Sequence, residues 1–266
     1  MRNSSVFRLV STLALSGLVA SSFVACAEDD EEVTDGSGDG SGEEGSVDPT
    51  PSDSFEIRVT HASGDTPAVS IYNGDATEAT IRGLAFGSST TYLPLPTNTY
   101  TFNVRTADAD PTSAPALTAT LTPVDGDIIN VFAVGTLSTE DSIPLELIAV
   151  PEDRTAPADG SIRLRVVHAA GALPEVDVYT LGEGAPSEVL ADFMYKDASP
   201  YLDLPAGEYL FGIDADNDPT TIEARFATGA IPAGSIVTAV AAVGASGPVL
   251  IAIFDDGTSA TIPASN

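Results

Sequence analysis

Ile57-Arg58-Val59-Thr60-His61-Ala62 comes back 107 positions later as Leu164-Arg165-Val166-Val167-His168-Ala169, and Pro67-Ala68-Val69-Ser70-Ile71-Tyr72 comes back at the same distance as Pro174-Glu175-Val176-Asp177-Val178-Tyr179. Further along, Tyr92-Leu93-Pro94-Leu95-Pro96 matches Tyr201-Leu202-Asp203-Leu204-Pro205 and Ala133-Val134-Gly135 matches Ala242-Val243-Gly244, both at 109. A register that drifts by only two residues over most of each unit marks a duplicated domain. The repeated stretches alternate. Phe55, Ile57 and Val59 are interleaved with Glu56, Arg58 and Thr60, and Tyr100, Phe102 and Val104 with Thr101, Asn103 and Arg105. A period of two is that of strands with one dry and one wet face.

Turn formers punctuate these runs at short intervals, among them Asn73-Gly74, Asp125-Gly126, Ala233-Gly234 and Asp256-Gly257. About eight short strands per unit follow, near 55–61, 68–72, 80–86, 90–93, 99–105, 116–121, 128–134 and 145–150 in the first, with counterparts in the second. No stretch has the spacing of an amphipathic helix. A sheet with one apolar face must bury it against another, so the expected class is all-β: two tandem antiparallel β-sandwiches, immunoglobulin-like or transthyretin-like in plan. The units occupy 55–150 and 161–266. Residues 151–160 form a short linker containing Pro151 and Pro157 that limits their relative orientations.

The elements Arg-Val-x-His-Ala, Pro-x-Val-x-Val/Ile-Tyr, Tyr-Leu-x-Leu-Pro-x-Gly-x-Tyr and Ala-Val-Gly, in this order, resemble the bacterial domain of unknown function 4397. The resemblance covers about 55–150 and 160–255. The second unit keeps Leu204-Pro205-Ala206-Gly207-Glu208-Tyr209, whereas the first has Asn98 where the glycine belongs; asparagine also tolerates positive φ. The resemblance implies a repeated module of secreted and surface bacterial proteins and brings no catalytic residues.

Ahead of the repeats, Arg2 and Arg8 precede an apolar stretch from Leu9 to Ala20 and then Phe23-Val24-Ala25-Cys26, the layout of a secretory signal. Residues 1–25 resemble a bacterial lipoprotein signal peptide, with Phe23 in place of the usual leucine. The resemblance implies cleavage before Cys26, lipidation of its sulfur and anchoring in a bilayer, which needs more than one acyl chain to be firm. A signal cut after Ala27, leaving a secreted protein, is the alternative. Residues 26–54 are Gly, Ser, Asp, Glu, Thr and Pro with almost nothing apolar, the composition of a disordered, self-repelling tether.

The chain carries 39 Asp plus Glu against 10 Lys plus Arg, and such a charge repels nucleic acid. Cys26 is the only cysteine, so no intramolecular disulfide forms. His61 and His168 are the only histidines and hold the same repeat position. Neither has a second His or Cys nearby, so the expected role is to cap a strand end by bonding to the following turn. Tyr72 and Tyr179 are also repeat-matched and read as core rings with a tethered hydroxyl rather than a sugar platform. Asp214, Asp216 and Asp218 begin like a calcium loop, but Arg225 stands where a bidentate Glu belongs. With Asp108 and Asp110 in the matching turn of the first unit, they are the candidate ligand-binding residues. No metal centre, cofactor or nucleophile-and-base arrangement is expected. The sequence therefore predicts a non-enzymatic cell-envelope lipoprotein, held at the outer membrane or cell surface, whose repeats touch an envelope protein or polysaccharide. The alternative is a carbohydrate- or calcium-binding protein that uses the sandwich-end loops.

Overall fold

A computed structural model describes residues 7–8, 53–138, 143–173, 175–215, 218 and 221–265. Cys26, the tether up to residue 52 and Asp216 lie outside the described residues. Among the described residues there are strands and turns and no helix.

The first repeat contains β2 (Ser54–His61), β3 (Val69–Asn73), β4 (Ile81–Leu84), β5 (Leu93–Pro96), β6 (Tyr100–Thr106), β7 (Leu117–Leu121), β8 (Ile128–Val134) and β9 (Glu146–Pro151). One sheet has the order β9-β8-β2-β5, with the two-residue strand β1 (Phe7–Arg8) added outside β9; the other has the order β4-β3-β6-β7. The second repeat contains β10 (Ser161–His168), β11 (Glu175–Leu181), β12 (Ser187–Met194), β13 (Leu202–Pro205), β14 (Gly207–Asp214), β15 (Ala224–Ile231), β16 (Ile236–Gly244), β17 (Gly247–Phe254) and β18 (Ser259–Pro263). Its sheets are β13-β10-β16-β17-β18 and β12-β11-β14-β15. Each repeat is a β-sandwich, antiparallel except for one parallel pair, β2 with β8 and β10 with β16.

Three details differ from the sequence expectation. The fourth strand lies at Leu93–Pro96 rather than 90–93; as a sheet edge it tolerates Pro94 and Pro96, whose missing N–H groups cost an edge strand little. The second repeat has an extra strand, β18. The ladders also equate Ala133 with Ala241, because these residues pair with His61 and His168 respectively. The Ala-Val-Gly match is therefore one residue out of structural register, since β16 continues to Gly244 before its turn.

The alternating apolar residues build one core per sandwich. Phe55, Ile57, Val59, Phe102, Val104 and Val131 are among those of the first, and Ile162, Leu164, Val178, Phe211, Phe226 and Val237 among those of the second. A third core lies between the repeats. There Phe132, Val134, Ile148 and Val150 of the first meet Val167, Val240, Ile251 and Ile253 of the second. The β8–β9 and β16–β17 hairpins thus bury both faces. Their near-continuous apolar runs, Val131-Phe132-Ala133-Val134 and Val249-Leu250-Ile251-Ala252-Ile253, are what two-sided burial requires.

Candidate functional site

His61 and His168 end the first strand of each repeat and are fully buried. The Ser63 N–H donates to His61 Nδ1 at 3.3 Å, and His61 Nε2 reaches the Pro67 carbonyl at 3.1 Å. In the second repeat the Ala170 N–H donates to His168 Nδ1 at 3.3 Å. A ring nitrogen that accepts from a backbone amide must be unprotonated, so both rings sit as neutral imidazoles. Burial lowers the pKa of each, that of His168 to about 4. Both rings brace the following turn, and each packs against aromatic neighbours: His61 against Phe86, His168 against Phe193 and Tyr195.

The charged residues of the first strands lie on the face away from their own cores. The second repeat covers that face, leaving Arg58 2 % and Thr60 1 % exposed. Arg58 donates to Asn130 Oδ1 at 2.9 Å and, across the seam, to the carbonyl of Phe254 at 2.8 Å. Arg165, its repeat counterpart, donates across the seam to the carbonyl of Pro151 at 2.6 Å. Pro151 and Phe254 are themselves equivalent, because they pair with Ile129 and Val237, which pair with Ile57 and Leu164. The seam therefore has approximate two-fold symmetry, each repeat gripping the same carbonyl of the other.

One carboxylate sits between the two guanidinium groups. Glu152 lies 3.8 Å from both Arg58 and Arg165, with its side chain 1 % exposed, and accepts from Asn130 Nδ2. Burial pushes its carboxyl up against the lowering influence of Arg165 and Arg58. Arg58 and Arg154 both lie over the Tyr92 ring, and Arg163 and Arg165 over that of Tyr201, with guanidinium-to-ring distances of 4.3–4.7 Å. Arg154 also binds Glu56 of the first repeat and Asp255 of the second. Asp153, held at about 2 by hydrogen bonds from Thr155 and then by Arg163, pins the linker to the second repeat. The linker residues Glu152 to Thr155 are thus tied down on both sides.

At the histidine end of the seam a cleft of about 370 Å³ opens between the repeats. Its walls include Ala62, Gly64 and Gly135 from the first repeat and Ala169, Gly171 and Gly244 from the second. Repeat-equivalent glycines let the units approach. A Cβ on Gly64 would stand 2.0 Å from the Val243 carbonyl oxygen, and one on Gly171 would stand 2.6 Å from Ile143 Cγ2. The ionisable group in the lining is Asp65, whose carboxylate accepts from the Leu137 and Ser138 amides. The cleft offers shape and small side chains; its one charge is spent on the loop beside it.

Of the sequence-selected residues, Tyr72 and Tyr179 are buried, and Tyr72 carries the Arg105 guanidinium over its ring at 5.0 Å. The hydroxyls that tie to backbone belong to other tyrosines. Tyr100 donates to the Pro96 carbonyl at 2.7 Å, and Tyr209 makes the same bond to Pro205. Asp110 accepts from the Thr112 amide and hydroxyl, which lowers its pKa. Asp214 is not a loop residue. It ends β14, almost fully buried opposite Asp177, while Asp218, beyond that strand, is exposed. Asp108 and Asp110 sit on the matching turn of the other repeat, so the acidic candidates form two groups rather than one. Among the described residues no three His, Cys, Asp or Glu side chains come together as a metal site.

Residues 55–179 match the family model described as Domain of unknown function (DUF4397), consistent with a DUF4397-like domain over that stretch. The match spans the first repeat and the first two strands of the second. No curated protein matches the chain. Solved structures similar to it include the Bacillus anthracis TIE protein (16 % identity, 71 % of this chain and 34 % of that one, TM-score 0.23). Others are a product complex of the multi-modular glycogen-degrading pneumococcal virulence factor SpuA (11 %, 77 % and 24 %, TM-score 0.24) and a structure titled for alpha-glucan binding by a streptococcal virulence factor (11 %, 70 % and 92 %, TM-score 0.23). The chain spans about a third of the first of these proteins and a quarter of the second.

Proposed function

We propose that this chain is a lipid-anchored cell-envelope protein whose two repeats act together as one rigid, non-enzymatic interaction module. The shared core between the repeats carries this reading. It joins both sandwiches into a single body, and the buried ionisable groups Arg58, Glu152 and Arg165 are spent on holding that body together, while the two histidines brace the turns of their own repeats. Cys26 supplies the anchor, residues 26–54 the spacer, and the outward faces of the sandwiches the contact surface for an envelope protein or polysaccharide. Cys26→Ser should move the protein from the membrane fraction to the soluble fraction and abolish palmitate labelling; continued sedimentation with membranes would refute the anchor. Turnover of ester, peptide or glycoside substrates by the chain from Ala27 onward would refute the non-enzymatic reading.

The second reading, calcium or carbohydrate capture by end loops, draws on the acidic turns at equivalent places in the two repeats. It predicts a thermal shift with calcium that is lost in Asp216→Ala, or binding on a glycan array.

A further inference from the structure

The two repeats differ at one sheet edge. In the second, the chain turns at Asp255-Asp256-Gly257-Thr258 and lays β18 antiparallel on β17. In the first, the chain leaves β9 directly into the linker, so among the described residues none of that repeat returns to cover β9. β1 lies there instead, antiparallel, with Phe7 opposite Ala149 and Arg8 opposite Ile148. This is the register of β18. Ala260 stands opposite Ala252 and Thr261 opposite Ile251. Ala149 and Ile148 are in turn the equivalents of Ala252 and Ile251, since they pair with Val131 and Phe132 where the others pair with Ala239 and Val240. Two segments unrelated in sequence occupy one structural position.

The backbone of β9 is prepared for such a strand. The Glu152 N–H donates to the Ile128 carbonyl of β8. In an antiparallel ladder donors alternate sides, so Leu147 and Ala149 direct their N–H and C=O groups away from β8, toward the outer edge. An edge of this kind is a template for another chain. Leu147 and Ala149 themselves are buried, so recognition falls to the main chain, the mode of β-strand addition.

We infer that the outer edge of β9 is a strand-acceptor site: once cleavage before Cys26 removes Phe7–Arg8, it takes an extended, uncharged segment of another protein as the fifth strand of the first repeat's sheet. The inference rests on the proposed processing and deepens the proposed role as an interaction module. The make-up of the guest is set by its internal counterpart, Ser259-Ala260-Thr261-Ile262-Pro263, which has small and β-branched residues and no charge. A second copy donating its own β18 would have to strip its β17, which favours a different protein as donor.

The test is amide hydrogen exchange on the chain beginning at Ala27, titrated with a synthetic peptide of residues 257–264. Without peptide, the Leu147 and Ala149 amides should exchange quickly and those of Leu250 and Ala252 slowly. With peptide at ten times its Kd, exchange at Leu147 and Ala149 should slow about tenfold, as mass action requires, with Leu250 and Ala252 unchanged. In β18 the Ala264 N–H donates to the Pro248 carbonyl, so the amides of Ala260 and Ile262 also face β17. A peptide N-methylated at those two positions should give no protection. No protection at millimolar peptide, or equal protection by the methylated peptide, overturns the proposal. So does protection of Leu147 and Ala149 before any peptide is added: if it grows with protein concentration the occupant is a second copy, and if not, a segment of the same chain. None of these failures touches the anchor, which Cys26→Ser tests separately.

Discussion

Phe132→Ala should separate the two repeats thermodynamically. Phe132 is 1 % exposed and belongs to the core between the repeats, whereas its neighbour Val131 points into the first sandwich. Removing a buried phenylalanine side chain costs about 3–5 kcal/mol, part transfer free energy and part cavity. In a folded region of this size each kcal/mol lowers Tm by about 2–4 °C, so the drop should be on the order of 10 °C. The whole loss falls on contacts between repeats. Scanning calorimetry of the chain from Ala27 should therefore show one transition in the parent, with calorimetric and van't Hoff enthalpies equal, and a broadened or split transition in Phe132→Ala. Val131→Ala should lower Tm and keep a single transition. A Phe132→Ala protein with an unshifted single transition, or a Val131→Ala protein that splits as Phe132→Ala does, would refute the claim that this core couples the sandwiches.

Gly64→Ala should cost about 3 kcal/mol or more and Gly171→Ala about 1, since the first added methyl meets a backbone carbonyl and the second a side chain able to turn; urea midpoints of the two variants decide it. His168 ordinarily titrates near 6.5 and is lowered to about 4 in the fold, so the unfolded chain takes up the proton first. The stability that the neutral ring lends is therefore intact above pH 6.5 and declines as pH falls toward 4, the loss reaching roughly 3 kcal/mol below that. The stability difference between the parent and His168→Gln, measured by urea unfolding from pH 7 to 4, should shrink accordingly. Tyr100→Phe and Tyr209→Phe each lose one hydroxyl-to-carbonyl bond and should each lower stability by about 1 kcal/mol. Lying in separate repeats without a shared partner, their effects should add, which a double variant measures.

The sandwiches were legible because each core face alternates along its strand. Ile57 and Val59, or Phe102 and Val104, announce which side is dry. What the alternation concealed is the fate of the other side. Arg58 and Thr60 read as a solvated face, yet the second repeat covers them, because a guanidinium that finds the Asn130 amide oxygen, the Phe254 carbonyl across the seam and the Glu152 carboxylate need not face water. The signal for that seam lay elsewhere in the chain, in the unbroken apolar runs of β8, β9, β16 and β17. The placement of His61 and His168 at strand ends followed from the repeat itself. Asp214 was misplaced because its acidic neighbours suggested a loop, while cross-strand pairing with Asp177 carries the strand as far as Asp214. The tyrosine hydroxyl bonds fall on Tyr100 and Tyr209 because these follow the edge-strand prolines by four residues, a local spacing that Tyr72 and Tyr179 lack.

Two identical subunits meeting on an axis inherit every mutation in duplicate, so whatever suits one half must suit the other in the same place. Fusing both halves into a single polypeptide lifts that constraint. Here it has let the acids at one matched position part company: Glu152 has turned inward to neutralise both guanidinium groups, while Asp255, its counterpart, has turned outward to hold Arg154. A lone central carboxylate serving two cations is an arrangement that a strictly symmetric pair could reach only by placing the acid on the axis itself. Carrying both halves on one polypeptide thus does more than fix stoichiometry; it allows the halves to differ.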